Sequence, residues 1–120
     1  MDLARQAKVA MFTVGSFGYH SVLVDADYFE PDEIEFLLKH KAVGDICSRI
    51  IDEAGQICWP ELDDRTIGID LNELRKKDIA IAVAGGKEKV KAISAGILGK
   101  YFNVLITDEL AASEILYLNN

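Results

Sequence analysis

Two glycines and a lysine, Gly85-Gly86 and Lys89, carry the strongest chemical signal in this chain. They follow an apolar run, Ile79-Ala80-Ile81-Ala82-Val83-Ala84, that reads as a buried strand, and they lead into a helix that opens with lysines. Glycine lets a backbone turn sharply and come close to a ligand. The first turn of the helix then offers free N–H groups and the positive end of its dipole. Such a junction binds anions, and Lys89, one turn in, adds a full positive charge to a bound phosphate. The spacing is not a P-loop, which needs a longer loop and a Ser or Thr after the lysine. It is not the Gly-x-Gly-x-x-Gly dinucleotide fingerprint either. Taken alone, it fits a plain strand-to-helix turn with solvated lysines better than a binding site. A second strand end adds weight. Residues 8–14 run into Gly15-Ser16-Phe17-Gly18, where Gly15 and Gly18 make the turn and Thr13 and Ser16 can donate hydrogen bonds.

The elements that must position these residues alternate in type. A strand over 9–14 is nearly all apolar, as a strand covered on both faces would be. Residues 17–29 read as a loop with room for a short strand or helical turn. A helix starts at Pro31 with Asp32 and Glu33 in its first turn and ends by about Lys41; Ile34, Leu37, Leu38 and Ala42 form its apolar stripe. Residues 43–51 read as one strand, 52–56 as a turn, and 57–59 as a short hairpin partner. Residues 60–65 read as an exposed acidic loop and 66–69 as a short strand. Asp70 caps a brief helix over 71–76. The strand over 79–84 leads to a helix over 87–98, stopped by Gly99, with Val90, Ile93, Ala95, Ile97 and Leu98 on its buried side. A strand over 103–106 follows, and Thr107 caps a last helix that begins with Asp108-Glu109. The class is α/β, with a parallel strand–helix–strand unit at the C-terminal end.

The totals set limits. The chain has 120 residues, half of them hydrophobic and 28% charged, which suits one soluble globular domain. No apolar run approaches a membrane span, and the N-terminus lacks the layout of a signal peptide, so the expectation is a cytoplasmic protein. Thirteen basic residues against twenty acidic give a net charge of -7, which argues against direct nucleic-acid binding by this segment. Cys47 and Cys58 have no partner at zinc-ligand spacing and are expected reduced and buried. No metal or cofactor is expected. His40 ends a helix, where a cation suits the dipole.

In order and spacing, several stretches together resemble the C-terminal effector-binding domain of the SorC family of bacterial sugar-operon regulators. They are Val43-Gly44-Asp45-Ile46-Cys47 with Arg49 and Asp52, Arg65-Thr66-Ile67-Gly68-Ile69, Ala82-Val83-Ala84-Gly85-Gly86 with Lys89 and Ala92-Ile93, and Asn103-Val104-Leu105-Ile106-Thr107-Asp108-Glu109 with Ala111-Ala112. The resemblance covers nearly the whole chain. It implies a parallel-sheet, Rossmann-like fold similar to ribose-5-phosphate isomerase and glucosamine-6-phosphate deaminase. It implies a domain that binds a phosphorylated sugar and passes that occupancy to operator DNA through a winged helix-turn-helix. Residues 1–120 match only the later part of such a domain, so the winged helix-turn-helix and the first half of the effector domain are expected outside this chain. An incomplete sheet then leaves an edge and an apolar face open, so self-association is expected. Two positions depart from the family: Thr13 stands where a glycine is common, and Ser48 where a glycine usually precedes Arg49.

The resemblance assigns Gly85, Gly86 and Lys89 to a phosphate loop of backbone N–H groups and an ammonium. Gly15 and Ser16 sit at a strand end, where open α/β sheets hold ligands; Ser16 either contacts a ligand hydroxyl or serves the turn alone. Asp45 can accept from two sugar hydroxyls at once, or bond its own backbone. Lys87 and Lys91 are expected in solvent. Arg49 reads as a structural arginine paired with a carboxylate, Asp108 and Glu109 as helix-start residues, and Trp59 and Tyr19 as packing aromatics. No catalytic residue is assigned. An isomerase or deaminase reading would have to use Asp45 or His20 as its acid–base group. A third reading is a fragment that only dimerises.

Overall fold

The apolar runs fold into two three-stranded sheets rather than one. The structure, a computed structural model, describes residues 2–19 and 21–118; His20 lies outside the described residues. The order is α1 (Asp2–Gln6), β1 (Val9–Phe12), β2 (Val14–Ser16), α2 (Val22–Asp25), α3 (Pro31–Lys39), β3 (Ala42–Ile46), β4 (Arg49–Asp52), α4 (Pro60–Asp64), α5 (Leu71–Leu74), β5 (Ile79–Val83), a 3₁₀ turn (Lys87–Lys89), α6 (Val90–Leu98), β6 (Val104–Ile106) and α7 (Glu109–Leu118).

The first sheet is parallel, in the order β1-β5-β6. Val9 pairs with Ile79 and Phe12 with Ala82; Ile81 pairs with Val104 and Val83 with Ile106. As the sequence suggests, α6 joins two parallel neighbours. Asn103 pins the start of β6: its Oδ1 accepts from Ala80 N at 2.9 Å and its Nδ2 donates to the Asp78 carbonyl at 3.0 Å. Alternation along a strand separates two faces. Ala10, Phe12, Ala80, Ala82 and Leu105 face the core, where Ala80 and Ala82 are buried. The opposite face carries Val9, Met11, Ile79, Val83, Val104 and Ile106, all exposed. The strand over 9–14 is therefore covered on one face only, against expectation. It also breaks at Thr13, where the chain leaves this sheet for the next.

The second sheet is antiparallel, β2-β3-β4. Residues 43–51, read as one strand, form a hairpin instead. It turns at Cys47 and Ser48, both left-handed, with φ of 53° and 67°. Two consecutive positive φ values make the two-residue turn that suits strand twist, yet neither residue is the glycine or asparagine that would advertise it. The glycine expected at position 48 thus falls where the backbone asks for one. Ser48→Gly should stabilise the chain by about 1 kcal/mol by relieving left-handed strain. Urea melts check this, and an unmoved midpoint would show that the turn is not strained.

Residues 60–64 form α4, with Pro60 opening it, rather than a loop. Residues 66–69 form no strand, because their carbonyls turn to Arg49 instead of to a neighbouring chain. Arg49 is buried and spends its whole fork on this segment. Nε donates to Ile69 O at 2.8 Å, NH1 to Asp63 O at 2.7 Å, and NH2 to Thr66 O at 3.2 Å and Gly68 O at 3.0 Å. NH1 also lies 2.9 Å from the Asp63 carboxylate, an ion pair without a directed hydrogen bond. Asp70 caps α5 as expected, accepting from Asn72 N at 2.9 Å.

Helix α6 is the centre of the core. Val90, Ala92, Ile93, Ala95 and Gly96 are buried between the two sheets, with Val14, Ile46, Ile51, Ala82, Ala111 and Ile115 around them. Ile97 and Leu98, expected inside, fall on the outer arc and are exposed. Gly99 follows the helix with a right-handed φ of -74°, and Lys100, at φ 60°, takes the left-handed position that the glycine was expected to take. Tyr101 then locks the corner, donating its hydroxyl to Gly55 O at 2.5 Å. A smaller cluster of Phe17, Leu37, Ala42 and Ile50 lies under α3. Lys77, also buried, donates to the carbonyls of Ala4, Arg5 and Ala7 and so closes the end of α1.

Candidate functional site

The glycine turn forms where β5 hands over to α6. Gly86 sits at φ 101°, ψ 145°, a conformation that side-chain-bearing residues rarely adopt. Its N–H does not face solvent. It donates to Asp108 Oδ2 at 2.7 Å. The other oxygen of Asp108 accepts from Ala111 N at 2.8 Å and caps α7. The cap is thus Asp108, not Thr107. The Ala111 N–H first, and the Gly86 N–H with it, hold the Asp108 carboxyl below its ordinary value, so it stays charged near neutral pH. Among the described residues, no acceptor takes the N–H groups of Gly85, Lys87 and Glu88. Those three, with the Lys89 ammonium, are the donors that an anion can use. Gly86 contributes the turn itself rather than a free donor.

A shallow depression of about 350 Å³ lies against this turn, at the C-terminal ends of β5 and β6. Val83, Gly85, Lys89, Ile106, Thr107 and Asp108 line it. The hydroxyl of Thr107 is buried there without a partner among the described residues. Thr107 was read from sequence only as a helix cap, so its place beside Gly85 and Lys89 was missed. The Thr-Asp-Glu run at a strand-to-helix junction was the available signal. Other hollows suit an anion less well. One beside Gly86 and Lys87 is lined by Asp108, Glu109 and Glu114, and one at the opposite ends of β5 and β6 has its Arg75 and Lys77 engaged with protein carbonyls.

The second group meets the first at Lys89. Gly15 on β2 lies directly opposite Asp45 on β3. A Cβ at Gly15 would come within 2.2 Å of Asp45 Oδ1, so the missing side chain is what gives the carboxylate its room. Asp45 Oδ2 accepts from Ser48 N at 3.2 Å. Burial raises the Asp45 carboxyl above its ordinary value, while the Ser48 N–H and the Lys89 charge pull it back. The backbone reading of Asp45 is what the structure shows: one oxygen bonds local backbone, and the other faces the gap over Gly15. Ser16 stands opposite Gly44, one step along β2, and β2 packs against the turn that carries Lys89. Gly15 and Asp45 thus lie on the strand pair near Lys89, which lines the depression with Gly85. Lys87 and Lys91 are exposed, as expected.

Asp45 has a testable pH signature. A carboxyl raised on folding adds stability that is complete below its unfolded pKa, near 3.8, and is lost as pH rises through the folded value. Asp45→Asn should therefore melt higher than the parent at pH 7 and show no advantage at pH 3.5. The Asn side chain can still accept from Ser48 N. An advantage of equal size at both pH values would mean that burial of the charge is not its cause.

The remaining candidates are structural. Arg49 clamps the 63–69 segment. Trp59 packs on Phe36 at a ring separation of 4.5 Å, with the Arg65 guanidinium 5.8 Å from its ring. Tyr19 is exposed. His40 bonds Phe36 O through Nδ1 at 2.8 Å and stacks on that ring. Cys47 and Cys58 are free, and half-buried rather than buried as expected. Burial raises the Cys47 thiol and pushes the Cys58 thiol up to about 11, so neither is a thiolate at neutral pH.

The family Sugar-bind, described as a putative sugar-binding domain, matches residues 1–117. This chain belongs to that family. The deoxyribonucleoside regulator of Bacillus subtilis (strain 168) is 45% identical over 116 residues, which is 97% of this chain and 37% of that protein. A transcriptional regulator from Streptococcus pneumoniae TIGR4 shares the fold with a TM-score of 0.87 at 31% identity, over 96% of this chain and 44% of its own. The full-length sorbitol operon regulator SorC from Klebsiella pneumoniae does so with a TM-score of 0.82 at 26% identity, over 96% and 37%. The SorC-type resemblance read from the residues and the α/β class agree with these relatives. This chain of the sugar-binding family spans little more than a third of the curated relatives' length. No helix among its described residues is long and apolar enough to cross a membrane.

Proposed function

We propose that this chain is the part of a carbohydrate-gene regulator that senses a phosphorylated sugar. The observation that carries the reading is the place of Lys89, which lines the depression with Gly85 and lies beside the strand pair of Gly15 and Asp45. The free N–H groups of the glycine turn and the Lys89 ammonium take the phosphate. Asp45 takes sugar hydroxyls over the space that Gly15 leaves open, and Ser16 borders it. The domain binds without catalysis, works in the cytoplasm, and reaches DNA through another domain. Self-association accompanies this role, because the parallel sheet is covered on one face only.

Thermal melts against paired sugar phosphates and free sugars test it. The name of the Bacillus subtilis relative puts deoxyribonucleosides and the phosphates of their sugar first in the panel. A rise produced by a phosphorylated member and absent with its free sugar supports the reading. A cooperative melt that no member moves speaks for a chain that serves in assembly alone.

One observation favours a second reading. A half-buried carboxyl raised above its ordinary value, such as Asp45, is what an isomerase or deaminase would use as its acid–base group. Turnover of a sugar phosphate by the chain, lost in Asp45→Asn, would establish it.

A further inference from the structure

We propose that Asp108 makes the anion site selective for a phosphate group that still carries a proton. This rests on the sugar-phosphate reading and names the form of the phosphate that the site takes. Asp108 lines the depression together with Gly85, Lys89 and Thr107. A Cβ at Gly85 would come within 2.7 Å of Asp108 Oδ2. An anion held by the free Gly85 N–H therefore meets the Asp108 carboxylate at close range. That carboxylate is pinned from two sides, by Gly86 N at 2.7 Å and Ala111 N at 2.8 Å. It cannot swing away without freeing both donors, yet each of its oxygens keeps room to accept once more. The Thr107 hydroxyl, buried without a partner among the described residues, belongs to the same wall.

Two anions side by side repel, whereas a proton between them makes a charge-assisted hydrogen bond. Asp108 does not supply that proton, because the Ala111 N–H first, and the Gly86 N–H with it, hold its carboxyl below its ordinary value. The ligand has to bring it. A phosphate monoester loses its second proton near about pH 6. Its monoanion has one P–OH, which donates to Asp108 while the other oxygens accept from the turn and from Lys89. A sulfate ester has no proton to give. Other charged groups flank the turn. Glu88 folds back, so that a Cβ at Gly86 would come within 2.6 Å of its Oε1. Lys87, Glu109 and Glu114 line a separate hollow beside Gly86, and Asp45 feels the Lys89 charge. Among the described residues, Lys89 and Asp108 are the charged side chains that line the depression itself.

Calorimetric titration with 2-deoxyribose 5-phosphate at about pH 5.5 and about pH 7.5 tests this, because the two values bracket the loss of that proton. Affinity should fall about tenfold or more from the lower pH to the higher, following the monoanion. At the higher pH, titrations in two buffers of unlike ionisation enthalpy should show about one proton taken up per ligand bound. Asp108→Asn keeps a helix-capping side chain, and its amide donates to a phosphate oxygen. It should flatten the fall to within about twofold and remove the proton uptake. The sulfate ester of the same sugar should bind the parent at least about tenfold less tightly than the phosphate at the lower pH, and the variant should close that gap. Affinity that holds across the two pH values overturns the proposal and leaves the sugar-phosphate reading standing. A fall that persists in Asp108→Asn also overturns it, by assigning the proton to another group such as Asp45. No binding of the phosphate at either pH overturns both.

Discussion

Arg49→Ala should destabilise this chain by about 3–5 kcal/mol, the cost of removing one partner from a buried ion pair. The effect goes beyond the charge. Four carbonyls, of Asp63, Thr66, Gly68 and Ile69, accept from this one guanidinium. Without it they are left short of donors, at roughly 1–3 kcal/mol for each that stays buried and unpaired. The Asp63 carboxylate is left alone too. A small domain has only about 5–15 kcal/mol of stability in all, so the loss is severe. Arg49→Lys should recover little, because an ammonium keeps the charge but cannot reach four carbonyls in a fixed fork. Urea denaturation followed by far-UV circular dichroism measures both. A loss below about 1 kcal/mol for Arg49→Ala would mean that the 63–69 segment holds its shape by other means.

Lys89→Ala should weaken binding of a phosphorylated sugar by about ten- to hundredfold and barely change binding of the free sugar. A charge-assisted contact of about 1.5–3 kcal/mol sets that range. The chain should stay folded, since Lys89 is half-buried and makes no hydrogen bond through its ammonium among the described residues. Its removal should also let the Asp45 carboxyl rise further, because the Lys89 charge now pulls it down. Calorimetric titration of parent and variant separates the outcomes. Equal loss for both ligand types would take Lys89 out of the phosphate role.

The parts of the fold that were legible in the sequence are those fixed by local pattern. β5, α6 and β6 follow from apolar runs broken by Gly85-Gly86 and by the Gly99-Lys100 corner, although residues 87–89, read as the first turn of that helix, form a 3₁₀ turn before it. α3 follows from Pro31 and its acidic first turn, and Glu33 Oε1 does accept from Glu30 N at 3.0 Å. Where the reading failed, a distant partner decided. Nothing within 66–69 shows that Arg49, about twenty residues away, would take its carbonyls. The hairpin at Cys47-Ser48 uses left-handed residues that lack the usual turn chemistry. Residues 9–14 have the composition of a strand buried on both faces, but composition cannot say that one face has no cover. For the site, the glycine turn and Lys89 were visible as a strand-to-helix junction. Gly15 and Asp45 are thirty positions apart, and only the β2–β3 register brings them face to face. The engagement of Gly86 by Asp108 was hidden for the same reason.

Calorimetric titration of the parent chain with 2-deoxyribose 5-phosphate, ribose 5-phosphate and the two free sugars tests the central claim most directly. Saturable binding of a phosphorylated member is expected, with its free sugar weaker by at least about tenfold. Equal binding of a sugar and its phosphate, or no binding of any member by a folded chain, would contradict it.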